Sequence, residues 1–84
     1  MGYEIEYERV AAKALIDLDR GTAARITRKI DTLAENPRPS GSTKLVGTDA
    51  WRIRIGDYRV VYKINDTVLI VTVTRIAHRR EVYR

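Results

Sequence analysis

Arginine is the residue type in this 84-residue chain with the most evident capacity for chemistry. Arg52, Arg54 and Arg59 sit within the stretch WRIRIGDYRVVYKI, and Arg75, Arg79, Arg80 and Arg84 crowd the segment RIAHRREVYR beside His78 and Tyr83. A guanidinium forks onto phosphate in bidentate fashion and keeps its charge at any relevant pH. Several together can stabilise the phosphorane formed when an RNA 2′-hydroxyl attacks the adjacent phosphate, an electrostatic contribution that needs no metal. His78 or Tyr83 could move protons, and a tyrosine can stack on a base. Other chemistries lack their residues. There is no Gly-rich phosphate loop and no dinucleotide fingerprint. One histidine and no cysteine exclude a His/Cys metal cage. Ser40 and Ser42 have no adjacent acid–base set. Glu4, Glu6 and Glu8 read as partners for neighbouring arginines rather than as paired catalytic carboxylates. No cofactor is implied.

The arginines need elements to aim them. Trp51, Ile53 and Ile55 alternate with Arg52 and Arg54; after Gly56-Asp57, Tyr58, Val60, Tyr62 and Ile64 alternate with Arg59, Val61 and Lys63. That is the period-2 pattern of two strands, each with one buried face. A Gly-Asp pair between them reads as a two-residue hairpin loop, because glycine accepts positive φ. Pairing then follows by arithmetic: 55 faces 58, 54 faces 59, 53 faces 60 and 52 faces 61. One face collects core residues. The other sets Arg54 against Arg59, an unfavourable opposition on a sheet, and breaks of a local rule concentrate at functional sites. A merely solvated strand face is the plain alternative.

Tyr3, Ile5 and Tyr7 alternate with glutamates as a short first strand. From Arg9 to Asp19, Ala11, Ala14, Leu15 and Leu18 recur at helical spacing; Gly21 interrupts, and Ala23, Ile26, Ile30 and Leu33 resume it, with Arg25, Arg28 and Lys29 on other faces. So short a break implies a helical hairpin, ended by Pro37. NPRPSGST is a loop, and Lys44-Leu45-Val46 a candidate short strand. Asn65-Asp66, extended by Thr67 or not, turns the chain into a last strand, Val68 to Thr74. Its alternation puts Leu69, Val71 and Val73 on the core face and Val68, Ile70, Thr72 and Thr74 on the arginine face. Arg75 to Arg84 then reads as a basic tail, for which a solvated end is the plain alternative.

The resulting expectation is a single α+β domain over residues 1–84, with a small curved, mostly antiparallel sheet in β-α-α-β-β-β order. Its helical hairpin covers one face. The open face would show Arg52, Arg54, Arg59 and Lys63 among Val61, Val68 and Ile70, a mixed patch of the kind that meets a partner. The net charge of +5 lies wholly in residues 51–84, where eight Lys/Arg face Asp57, Asp66 and Glu81. One-sided basicity points first to nucleic acid, with Arg52, Arg54, Lys63, Arg75, Arg80 and Arg84 as RNA-binding candidates. The absence of cysteine suits a reducing cytoplasm, and the apolar runs are too short for a signal peptide or a membrane span.

The chain resembles the RelE family of toxins, within the RelE/ParE superfamily, nearly end to end from Tyr3 to Arg84. WRIRIGDYRVVYKI and HRREVY carry the resemblance most specifically, with NPRP before KLVG as a weaker echo. It implies a ribosome-dependent endoribonuclease that cuts messenger RNA in the ribosomal A site, leaving a 5′-hydroxyl and a 2′,3′-cyclic phosphate or 3′-phosphate. It also implies a separately encoded, RelB-like antitoxin that neutralises the toxin and co-represses their operon. By position, Arg59 matches the family's phosphate-binding arginine and Arg79 its second catalytic arginine, with Arg80 the alternative in register. Tyr83 matches the tyrosine that stacks on the base and assists proton transfer. Arg52 and Arg54 fall where members carry basic residues, often lysines. An arginine cannot serve as a base, so either another group such as His78 does, or charge stabilisation acts alone. Sister proteins of the ParE type, which poison DNA gyrase without nuclease activity, are the rival reading. A toxin relic that only binds RNA or an antitoxin is a third.

Overall fold

The structure is a computed structural model that describes the backbone of residues 2–82 and the side chains through Glu81; Met1, Tyr83 and Arg84 lie outside the described residues. The elements run β1 (Glu4–Tyr7), α1 (Arg9–Ile16), α2 (Arg20–Thr32), β2 (Thr43–Lys44), β3 (Ala50–Ile55), β4 (Tyr58–Asn65), β5 (Ile70–His78) and α3 (Arg79–Val82). They build an α+β fold around one open five-stranded sheet of order β1-β5-β4-β3-β2. All pairings are antiparallel except that of β1 with β5.

The hairpin register is the one the alternation dictates: Arg52 pairs with Val61, Ile53 with Val60, Arg54 with Arg59 and Ile55 with Tyr58. Gly56 supplies the turn with φ 58°. A side chain there would also displace the tip of Arg25, whose guanidinium lies 2.8 Å from a Cβ at this position, but it is the positive φ that favours glycine. Ile53, Ile55, Val60 and Tyr62 pack with Val71, Val73 and Ile76 against Ala11 of α1 and Ile26, Ile30 and Leu33 around α2. Both helices therefore cover one face of the sheet. Tyr62 is fully buried, and its hydroxyl donates to the Pro37 carbonyl at 2.8 Å, which ties the loop after α2 to the sheet centre.

Several boundaries differ from the sequence expectation, each for a local reason. The break between the helices falls at Asp17–Asp19, not at Gly21. Asp19 caps α2 by accepting from the Thr22 N–H at 3.0 Å, which leaves Gly21 inside the first turn. Of Lys44-Leu45-Val46 only Lys44 is in a strand; Val46 is fully exposed. The β4–β5 turn spans Asp66 to Leu69, because the Asn65 side chain accepts from the N–H groups of both Thr67 and Val68. Leu69 therefore misses the core: it sits at φ 59° and is 41% exposed. Glu4, Glu6 and Glu8 form no ion pair among the described residues.

The largest departure is at the end of the last strand. Residues 75–78 are not a tail but the second half of β5, in which Ile76 and Ala77 are buried. Val61 pairs with Arg75 while Tyr62 pairs with Val73, so Thr74 is an extra residue in β5, a bulge. Its hydroxyl donates to the Val61 carbonyl at 3.1 Å. The bulge reverses the alternation beyond it. Arg75 lands opposite Val61 on the arginine face, Ala77 opposite Arg59, and His78 opposite Tyr58 on the helix-covered side.

Candidate nucleic-acid interface

Arg59 occupies the second position of β4, between Arg54 of β3 and Ala77 of β5. The open arginine floor expected there does not hold at this residue, because Arg59 is only 3% exposed. β4 is an interior strand, flanked by β3 and β5, and α3 packs against β4 and β5. A guanidinium with little solvent is a stronger electrostatic source than one in water, since less dielectric screens it.

Arg52 and Arg54 sit on the outer side. β2 pairs only with Trp51 and Arg52, so beyond that point no strand covers the outer edge of β3. There the two arginines line a recess of about 290 Å³ together with Lys29 of α2, Ser40, Gly41, Thr43 and Ile53. Arg52 is half-buried and Arg54 exposed.

The other predicted residues gather at the opposite side of Arg59. His78, Arg79, Arg80 and Glu81 line an open depression with Asp57 of the hairpin turn. The Arg79 N–H donates to the Asp57 carbonyl at 2.7 Å, which fixes the start of α3 to that turn. His78 acts as the N-cap of α3. Its Nδ1 accepts from the Arg80 N–H at 3.3 Å, while its own N–H donates to the Glu81 carboxylate at 3.1 Å. The two bonds make a variant of the capping box, with imidazole in the usual hydroxyl's place and accepting from the second rather than the third helical N–H. The ring also meets Tyr58 edge-on, with centroids 5.3 Å apart. With Nδ1 committed as an acceptor, only Nε2 is left for proton traffic.

The structure thus divides the sequence candidates into an outer pair (Arg52, Arg54), a buried centre (Arg59) and an α3 group (His78, Arg79, Arg80). Arg75 borders them through Val61. Lys63 does not join: it stands four residues along β4 from Arg59, about 13 Å by strand rise, and its Nζ lies 3.8 Å from Asp49. Tyr83 and Arg84 fall outside the described residues. Sequence reasoning overlooked Lys29 as a neighbour of Arg52 and Arg54. Its position beside Ile30, which faces the sheet, was the available signal. The face is also polarised, since β1 contributes exposed Glu4 and Glu6, paired with Ile70 and Thr72 of β5, at the edge away from the arginines. Such a field draws a polyanion towards β3 and β4.

Similarity to known proteins agrees with this geometry. The family model for the ParE toxin of type II toxin–antitoxin systems matches residues 5–83. The protein designated toxin RelE1 of Methanocaldococcus jannaschii is 30% identical over 100% of this chain and 98% of its own length. The chain belongs to the RelE family of the RelE/ParE toxin superfamily. Two RelE structures share its fold closely. The toxin of the archaeal RelE–RelB complex from Pyrococcus horikoshii superposes with a TM-score of 0.84 at 30% identity, covering 94% of this chain and 97% of that one. The isolated E. coli RelE toxin gives 0.80 at 28% identity, covering 96% and 90%. RelE membership accounts for the α+β sheet with helices on one face. No helix among the described residues is long and apolar enough to cross a membrane.

Proposed function

We propose that this RelE-family chain is a ribosome-dependent endoribonuclease that cuts messenger RNA in the A site. The observation that carries the reading is the placement of Arg59 between two further sets of cations, across adjoining strands of one sheet. In the reaction the 2′-oxygen attacks the adjacent phosphorus and gives up its proton, and the P–O5′ bond breaks. The 5′-oxygen takes a proton, leaving a 5′-hydroxyl and a 2′,3′-cyclic phosphate, which water can open to a 3′-phosphate. Charge builds on the non-bridging oxygens, where Arg59 and Arg79 stabilise it, with Arg80 the alternative to Arg79. Arg52 and Arg54 neutralise the strand's approach, and Tyr83 stacks on the base and assists proton transfer. Arg75 and Arg84 add contacts to the RNA backbone. Among the described residues the site is rich in cations, and its one imidazole is half-engaged in capping α3. That imbalance supports a role for the ribosome in orienting the 2′-hydroxyl.

We further infer a separately encoded RelB-like antitoxin as the partner, because the Pyrococcus horikoshii relative was solved as a RelE–RelB complex, and a cytoplasmic site of action on ribosomes. The rival reading, a ParE-like gyrase poison, draws its support from the matching family model. Primer extension on a messenger RNA with purified protein separates them. Strong cleavage on translating ribosomes with little on naked RNA supports the nuclease. Equal rates on both substrates remove ribosome dependence, and intact RNA with gyrase-linked DNA breaks supports the rival.

A further inference from the structure

The recess at the open edge of β3 holds three cations from two elements: Lys29 from α2, Arg52 and Arg54 from β3. No carboxylate lines it, and none of the three forms an ion pair among the described residues. Three cations elsewhere do have a carboxylate within reach: Lys13 with Asp17, Arg38 with Asp66 and Lys63 with Asp49. Holding three like charges around about 290 Å³ is unfavourable without an anion to share. The other lining groups suit phosphate oxygens. Ser40 and Thr43 bring hydroxyl donors, and Lys29 is half-buried rather than waving in solvent.

From these contacts we infer that the recess is a second phosphate subsite, which holds a backbone phosphate of the RNA other than the one that is cut, with Lys29 as its specific ligand. The inference rests on the nuclease reading. Neighbouring strands lie about 4.8 Å apart, so β3 and β5 are separated by about 10 Å across β4. One phosphate group cannot bridge the recess and the α3 cluster. A strand whose scissile phosphate sits by Arg59 and which runs across the sheet towards β3 places another phosphate at the recess. Lys29 thus sets the register of the strand rather than the chemistry.

The test is fluorescence anisotropy with a 2′-O-methyl RNA octamer, which can bind but cannot be cut, titrated at several salt concentrations. Lys29→Ala should make the plot of log affinity against log salt shallower by about 0.7, the contribution of one single-strand phosphate contact. Lys29→Arg should restore the slope, and Lys13→Ala, with its side chain on α1 beside Asp17, should leave it unchanged. On ribosomes Lys29→Ala should raise the toxin concentration needed for half-maximal cleavage while leaving the saturated rate intact. A thermal melt confirms that each variant is folded. A parent protein that does not bind the octamer at all overturns this inference, whereas the nuclease reading falls only if messenger RNA stays intact on translating ribosomes. A parent that binds, with Lys29→Ala at the same slope, overturns the subsite alone. An unchanged RNA slope with weakened antitoxin binding assigns the recess to a carboxylate of the partner protein, and likewise overturns it.

Discussion

At the scale of single residues, Arg59 is the position where burial and the proposed function meet. On an exposed floor its removal would relieve repulsion with Arg54 and leave the fold untouched. At 3% exposure its aliphatic stem is part of the packing, so truncation to alanine opens a void as well as deleting a charge. Arg59→Met separates the two effects, because methionine keeps most of the stem. Its stability loss should stay within the ordinary range for one substitution, at most about 3 kcal/mol. Cleavage should fall about 10²–10³-fold, as on removing an oxyanion donor. Denaturant melts and primer extension on the same variant check both, and cleavage at the parental rate would remove Arg59 from the reaction. Tyr62 should behave in the opposite sense. Tyr62→Phe strands the buried Pro37 carbonyl and should cost about 1–2 kcal/mol in a denaturant melt, with the cleavage rate unchanged. The alternation around residues 51–64 made the pairing of Arg54 with Arg59 legible in the sequence. It could not reveal the burial of Arg59, because that depends on a strand and a helix far along the chain.

At the scale of elements, the second half of β5 and the short α3 decide where the C-terminal cations go. Strict alternation from Val71 assigns odd residues inwards and would drive Arg75 into the core. The Thr74 bulge cancels that by inserting one residue, and a one-residue slip exchanges the two faces of everything beyond it. Nothing in the letters TVTRIAH marks the bulge, apart from Ile76 breaking the parity of Val71 and Val73. The helical hairpin, by contrast, was legible from the spacing of Ala11, Ile26, Ile30 and Leu33, all of which are buried. α3 depends on its cap. His78→Ala removes the acceptor for the Arg80 N–H and the edge contact to Tyr58, so the four-residue helix should loosen. Caps of this kind contribute about 1 kcal/mol, so amide exchange from Arg79 to Val82 should quicken several-fold. Exchange in β4 should not change. If residues 79–82 exchange at the parental rate, the Arg79 bond to Asp57 alone holds the segment.

At the scale of the molecule, Asp66 ties together three distant segments. It accepts from Tyr3 Oη at 2.6 Å and from both terminal nitrogens of Arg38 at 3.3 and 2.9 Å. Arg38 lies in turn 5.4 Å over the Trp51 ring. The Arg38 guanidinium, then the Tyr3 hydroxyl, hold the Asp66 carboxyl below its usual range. A lowered carboxyl contributes stability above the unfolded-state value of about 3.9 and loses it as pH falls through the lower folded value. The Tyr3 phenol is raised, chiefly by its bond to Asp66, so its share is present below about pH 10 and lost as pH rises through the folded value. All these groups face water, which keeps each effect small. Asp66→Asn should therefore be less stable than the parent at neutral pH, and the two denaturation midpoints should converge below about pH 4. Curves that stay parallel down to the most acid pH would show that the Asp66 charge is not the tie. The parallel pairing of β1 with β5 has a different consequence, in time rather than in space. Residues 4–7 hydrogen-bond to residues 70–73, more than sixty positions further along, so a long loop must close before the sheet has its full width. Ala77, the strand neighbour of Arg59, lies further along still. Until residues 70–78 have been added, a growing chain lacks both the parallel partner of β1 and the strand neighbour of Arg59, so neither the full sheet nor the arginine centre can form.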